Sequence, residues 1–135
     1  MNSKTFNPIK DKSGEIIEYL MSSPDMPTDE GLLFKIRLSI EETVENVVRY
    51  AYTDGIGWIE VGTSLDKDGI ILTIVLKDAG KQFNPLEQPE PDLTKSAEER
   101  EIGGLGIFLC KQMMDNVEYQ YVDNCNILTM KKKIQ

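Results

Sequence analysis

Apolar residues recur along this chain at two periods, and the change from one to the other divides it into elements. From Asp29 onward, Leu33, Ile36, Ile40, Val44, Val47 and Ala51 are spaced by threes and fours. At about 100° per residue they fall on one stripe, which predicts a long amphipathic helix. Thr28 followed by Asp29 and Glu30 supplies the start, with acids in the first turn, and Thr53-Asp54-Gly55 supplies the stop. The period then drops to two. Ile59, Val61, Thr63 and Leu65, then Ile70, Leu72, Ile74 and Leu76, alternate within Trp58–Leu65 and Ile70–Lys77. The intervening Asp66-Lys67-Asp68-Gly69 makes the pair a hairpin.

The flanks extend this plan. Ile16, Ile17, Tyr19, Leu20 and Met21 predict a short helix between Ser13-Gly14 and Ser22-Ser23-Pro24. An extended segment around Lys4–Lys10 precedes it, confined to a sheet edge by Pro8. After the hairpin come Asp78-Ala79-Gly80-Lys81-Gln82-Phe83 and a polar stretch, Asn84–Glu101, with three prolines, which reads as a long loop. Gly103-Gly104-Leu105-Gly106 then opens a second main helix carrying Ile107, Cys110, Met113 and Met114. Two last strands, Val117–Val122 and Ile127–Ile134, are joined by Asp123-Asn124-Cys125-Asn126. The order predicts an α+β two-layer sandwich: a mixed, mostly antiparallel sheet with helices on one face and the other face wet. Residues 1–27 are expected as a segment packed on or extending a single domain of residues 28–135.

Composition narrows the chemistry. The chain has 135 residues, 15 Lys plus Arg against 23 Asp plus Glu, a formal charge of −8 and no histidine. Such a surface repels a polyanion, which argues against direct nucleic-acid binding. Without histidine, the commonest metal ligand and the commonest acid/base are absent. The two cysteines, Cys110 and Cys125, form no C-x-x-C motif and suggest neither a disulfide framework nor a zinc site. No apolar run is long enough to span a bilayer, and the first residues do not resemble a secretory signal, so a cytoplasmic, reduced protein without membrane association is expected.

Three features carry candidate chemistry, each with a plainer alternative. Glu42 and Asn46 lie one turn apart on the long helix, about 200° and 240° from Ile40, away from the core stripe. They are either part of a solvated face or a carboxylate and an amide oxygen suited to a proton and a hard cation. Asp78-Ala79-Gly80 at a strand end is either a turn or an acceptor for an exocyclic amine, with a glycine that lets a flat ring approach. The costly glycines at 103, 104 and 106 provide either a tight helix-to-sheet contact or a row of free N–H groups at the positive end of a helix dipole. No Lys-Ser or Lys-Thr follows them, so they are not a Walker loop, and they do not fit G-x-G-x-x-G.

The ordered combination resembles the GHKL ATPase superfamily. Glu42-Thr43-Val44-Glu45-Asn46-Val47-Val48-Arg49-Tyr50-Ala51-Tyr52 and Gly103-Gly104-Leu105-Gly106-Ile107-Phe108-Leu109 look most like its anti-sigma-factor serine kinases. The resemblance runs from about Asp29 to the C-terminus. It implies ATP and Mg²⁺ as cofactors, with Asn46 matching the Mg²⁺-binding asparagine and Glu42 the catalytic glutamate that receives the proton of a serine hydroxyl. Asp78 matches the aspartate that reads the adenine amino group, with Gly80 beside the base. Gly104 and Gly106 match the phosphate-holding glycines that end the ATP lid, with Gly103 next to them. Asn84–Glu101 would be that lid, and Arg100 near its end would neutralise charge on the transferring phosphoryl group. Where the family carries Gly-Thr before the last strand, this chain has Asn124-Cys125-Asn126-Ile127, with Asn126 as a partial substitute for the hydroxyl that holds adenine. Tyr50 stands where His is frequent, and Lys81-Gln82-Phe83 follows the Asp-x-Gly without a further glycine.

The resemblance therefore implies an ATP-dependent serine/threonine protein kinase that phosphorylates an anti-sigma-factor antagonist, sequesters a sigma factor and works as a homodimer. The alternative of another class is a nucleotide-dependent protein-binding switch without phosphoryl transfer. It would need Asn46, Asp78 and the glycines but not Glu42. Ile16, Ile17, Tyr19 and Leu20 serve either the dimer interface or the cover of the sheet.

Overall fold

The alternating positions of both predicted hairpins meet in one sheet whose covered face is apolar. The computed structural model describes residues 1–54, 56–87 and 104–135. Its strands are β1 (Asn2–Phe6), β2 (Ile59–Leu65), β3 (Ile71–Asp78), β4 (Asn116–Val122) and β5 (Cys125–Lys133), in the order β1-β2-β3-β5-β4. The helices are α1 (Ser13–Met21), α2 (Glu30–Tyr50) and α3 (Gly104–Met113), with a 3₁₀ turn at Pro85–Glu87. Every strand pairing among the described residues is antiparallel. The expected α+β sandwich is present, and its sheet is more uniform than the mixed one predicted.

Register explains the two faces. Val61 lies opposite Leu76 and Thr63 opposite Ile74, while Ile74 also faces Met130 of β5. These inward side chains, with Leu72 and Ile59, pack against Ile36, Ile40 and Val44 of α2 in one core. Each of those three α2 side chains is fully buried and contributes about 1.5–3 kcal/mol relative to exposure. Glu60, Thr73, Lys77, Thr129 and Lys131 occupy the alternate positions and line the other face. The central helix α2 contacts both α1 and α3.

Several boundaries differ from the sequence reading. The cap of α2 is Asp29 rather than Thr28: its carboxylate accepts the Leu32 N–H at 2.8 Å. β1 ends at Phe6, ahead of Pro8, which has no N–H to give a ladder. The first segment is tied down by Thr63, whose buried hydroxyl donates to Asp25 Oδ2 at 2.8 Å, and by Ile16, Ile17 and Leu20, which enter the core. Those apolar residues thus cover the sheet side of the chain and are not free for an interface.

The larger difference is at the last hairpin. Asp123 and Asn124 both have positive φ, 53° and 63°, and form a two-residue turn with Val122 paired to Cys125. Cys125 and Asn126 therefore belong to β5 rather than to a linker. The inward Lys132 of β5 is nearly buried and donates to the Met113 carbonyl at 2.8 Å, with Asp115 3.7 Å away. A cation at that carbonyl suits the negative end of α3 and fixes the helix on the sheet. Both cysteines are free and buried. Among the described residues, no helix is long and apolar enough to cross a membrane.

Candidate functional site

Where β3 ends and β5 begins, beneath α2 and α3, lies an open cavity of about 330 Å³. Its walls are apolar: Val47 from α2, Leu76 from β3, Leu128 from β5 and Ile107 from α3. Polar groups enter at few points, notably Asp78, Asn126, Asn46 and Thr43. Phe83 and Tyr50 line its exposed side. A mostly apolar pocket with a few placed polar atoms is what a small planar ligand requires.

Asp78 is the last residue of β3, and its inward position follows from strand parity, two residues beyond Leu76. It is 4% exposed. Its Oδ1 accepts the Gly80 N–H at 2.9 Å and the Asn126 Nδ2–H at 3.0 Å. Its Oδ2 has no hydrogen-bond donor among the described residues. Burial raises the carboxyl above its ordinary range, and the donors from Asn126 and Gly80 work against that rise. The structure thus holds a desolvated carboxylate with one oxygen occupied and the other uncommitted, on a cavity wall.

Asn126 sits directly across from Asp78 in the β3–β5 register. Besides Asp78, its Nδ2 donates to the Lys81 carbonyl at 2.9 Å and approaches the Gly80 carbonyl at 3.4 Å. Its Oδ1 accepts the Phe83 N–H at 3.1 Å and the Tyr119 hydroxyl at 2.6 Å. The amide is saturated, and it pins residues 80–83 to the sheet. Tyr52 braces the same turn: its hydroxyl donates to the Trp58 carbonyl at 2.7 Å and accepts the Ala79 N–H at 2.9 Å. Gly80 is a glycine because a Cβ there would collide with the Ala51 backbone carbonyl at the end of α2. The Lys81 N–H donates to that same carbonyl at 2.8 Å.

On the helical side the ties are fewer. Asn46 lines the cavity, and Glu42, one turn earlier, reaches α3. A Cβ on Gly106 would come within 2.5 Å of Glu42 Oε2, so glycine lets the first turn of α3 approach the carboxylate. The tight contact at Gly106 is therefore between helices rather than between helix and sheet. Neither Glu42 nor Asn46 is a solvated surface group; both are half-buried. Next to them the Cys110 thiol is pushed up to about 12, first by burial, with the nearby Glu42 charge adding to the rise. It stays neutral and donates weakly to the Ser39 carbonyl.

Of the expected site residues, Asn46, Asp78 and Asn126 converge on the cavity, Glu42 and Gly106 meet beside it, and Gly80 supports its wall. Gly104 is the first residue of α3. Arg100, Gly103 and the stretch after Glu87 lie outside the described residues. Sequence reasoning missed Tyr119 and Tyr52. The signal for Tyr119 was period-two alternation in β4, which sets Tyr119 inward beside Leu128. Among the described residues no three His, Cys, Asp or Glu side chains cluster to hold a metal. A hard cation near Asn46 would draw its remaining oxygens from water and from phosphate on a ligand, the usual arrangement for Mg²⁺.

Residues 16–132 match the family described as the histidine kinase-like ATPase domain. The chain is 26% identical over 102 residues to the serine-protein kinase RsbW of Bacillus cereus, covering 74% of this chain and 63% of that protein. It is 27% identical over 99 residues to the serine/threonine-protein kinase BtrW of Bordetella bronchiseptica, covering 73% of this chain and 69% of that protein. The chain thus spans less than two thirds of the length of the RsbW relative. Among solved structures, the RsbU and RsbW domains of a Mycobacterium tuberculosis protein superpose with a TM-score of 0.66 at 16% identity, over 99% of this chain and 33% of that one. The catalytic domain of the histidine kinase ThkA gives 0.57 at 12%, over 99% and 98%. At these identities the two structures speak to the fold alone.

Proposed function

The chain belongs to the histidine kinase-like ATPase family, the GHKL fold, and from that premise we propose that it is an ATP-dependent serine/threonine protein kinase and anti-sigma factor. The observation that carries the nucleotide half of this reading is Asp78, a buried carboxylate whose Oδ2 is uncommitted among the described residues, on the wall of an apolar cavity it shares with Asn46. The serine-kinase half is supported by the relatives named RsbW and BtrW.

In this proposal Asp78 Oδ2 accepts the exocyclic amine of adenine while Val47, Leu76 and Leu128 exclude water from the ring. Asn46 offers its amide oxygen to Mg²⁺. When bound, Mg²⁺ neutralises charge on the phosphate oxygens. The N–H groups of Gly103, Gly104 and Gly106, at the positive end of α3, hold phosphate oxygens, and Arg100 adds positive charge at the transferring group. Glu42 accepts the proton of a Ser or Thr hydroxyl as that oxygen attacks the γ-phosphorus and the bond from phosphorus to the ADP oxygen breaks, so the side chain contributes both position and basicity. The acceptor is an anti-sigma-factor antagonist, and a sigma factor is the second partner, held or released as nucleotide and antagonist phosphorylation change. We include in the proposal a homodimer, a cytoplasmic location, and residues 1–27 as an extension of the domain formed by residues 28–135.

One observation favours a second reading, a nucleotide-dependent protein-binding switch. Glu42 packs against Gly106, and that packing alone is a reason to keep a carboxylate there. Titration calorimetry with Mg-ATP, wild type beside Asp78→Asn, tests the site: binding lost in the variant supports it, and no binding by wild type at millimolar nucleotide sinks both readings. Phosphoryl transfer to candidate antagonists, wild type beside Glu42→Ala, then separates kinase from switch.

A further inference from the structure

Asn126 was expected to touch the ligand, but the structure leaves it nothing to touch with. Its two N–H groups go to Asp78 Oδ1 and the Lys81 carbonyl, and its oxygen takes the Phe83 N–H and the Tyr119 hydroxyl. This set of partners also fixes which way the amide points. Turned over, its oxygen would face the Asp78 carboxylate and its N–H₂ would face the Phe83 N–H. Tyr119 contributes the shortest bond of the set. Because Tyr119 stands on β4, Asn126 on β5 and Asp78 on β3, the chain of contacts crosses three neighbouring strands.

We propose that Asn126 and Tyr119 are positioning residues for base selection: acting through Asp78, they hold its Oδ1 and leave Oδ2 alone to meet a base. An oxygen fixed in that way accepts an amino N–H, as on the six-position of adenine, and repels a carbonyl at the same place, as on guanine. A carboxylate released from Asn126 rotates, spreads its charge over more orientations and discriminates less. This inference rests on reading the cavity as a purine nucleotide site, and it goes beyond that reading in assigning selectivity to two residues that act through Asp78 rather than through a hydrogen bond to the base.

The test is calorimetric titration of the full chain with Mg-ATP and Mg-GTP, with thermal melting alongside. The proteins are wild type, Asn126→Ala, Tyr119→Phe, Asp78→Asn and the double variant Asp78→Asn/Asn126→Ala. The expected results are an ATP affinity about 10-fold weaker in Asn126→Ala and about 3-fold weaker in Tyr119→Phe, with GTP affinity changed less than about 2-fold in either. In the Asp78→Asn background, adding Asn126→Ala costs no further ATP affinity, because the two act as one unit. Additive losses in that double-mutant cycle, or equal losses for ATP and GTP, overturn the proposal while leaving the nucleotide site standing. Failure of wild type to bind either nucleotide overturns both together. Should Asn126→Ala not fold, Tyr119→Phe decides: it removes one hydroxyl from a half-buried ring, and unchanged ATP-over-GTP preference overturns the proposal.

Discussion

The two sides of the cavity are built differently. At the strand ends, Asp78, Asn126, Tyr119 and the backbone of residues 80–83 form a hydrogen-bonded network that leaves Asp78 Oδ2 without a donor among the described residues. On the helices, Glu42 and Asn46 have no side-chain hydrogen-bond partner among the described residues, and Glu42 lies against Gly106. Polar groups locked by several bonds define one geometry, which suits recognition of a rigid base. Groups held by packing alone can follow a ligand that changes charge and shape, which suits transfer of a phosphoryl group. In the proposed function the strand side selects and the helix side reacts.

Substitutions that strike one side alone break or sharpen this contrast. The largest effect is expected from Glu42→Ala, which should lower phosphoryl transfer by about 10³-fold, within the usual range for a general base, with ATP affinity changed less than about 3-fold. A parallel collapse of ATP binding in titration would erase the distinction between the sides. Asp78→Asn should do the reverse at the next magnitude, weakening ATP about 100-fold, or about 2.7 kcal/mol. The same variant should melt about 4 °C higher at neutral pH, because it removes a buried charge.

Glycine substitutions sharpen the comparison at smaller energies. Gly80→Ala drives a methyl into the Ala51 backbone and should cost about 2 kcal/mol in chemical denaturation. Gly106→Ala meets the end of a flexible carboxylate, so about 1 kcal/mol is expected, with the loss appearing mainly in transfer rate. Equal costs at the two positions would mean that the helix side is as rigid as the strand side.

The smallest effect is a pH dependence. Burial raises the Asp78 carboxyl above its ordinary 3.8, so between those values the native state holds a proton that the unfolded chain has released. The destabilisation is fully present above the native pKa, shrinks as pH falls through it, and vanishes below about 3.8. The melting advantage of Asp78→Asn should therefore disappear on acidification, and wild-type ATP affinity should fall over the same interval as Asp78 loses its charge. An advantage that persists unchanged at pH 3 would place its origin elsewhere.

Much of the frame was legible because hydrophobic burial is periodic. Ile36, Ile40 and Val44 announced the inner stripe of α2, and the alternation through Val61 and Leu76 announced the central hairpin. The cap at Asp29 was missed by one residue because Thr28 and Asp29 are both good caps and only geometry chooses between them. The last hairpin is less legible because Asp123-Asn124 is a permissive turn pair, and the sequence alone is compatible with a four-residue linker as well as a two-residue turn. That ambiguity hid the role of Asn126, since a loop residue has no fixed neighbour, whereas a strand residue opposite Asp78 has one on either side.

What the sequence by itself determined is the alphabet of elements and the motif residues on them: a stripe makes a helix amphipathic, alternation makes a strand two-faced, and both act over a few neighbouring residues. The strand order β1-β2-β3-β5-β4, the meeting of Asp78 with Asn126 across 48 positions, and the approach of Gly106 to Glu42 were decided only by the tertiary structure. The physical reason is range. Periodicity is a local property of the chain, while a saturated amide or a close helix approach depends on which distant elements pack together, and that choice belongs to the whole core at once.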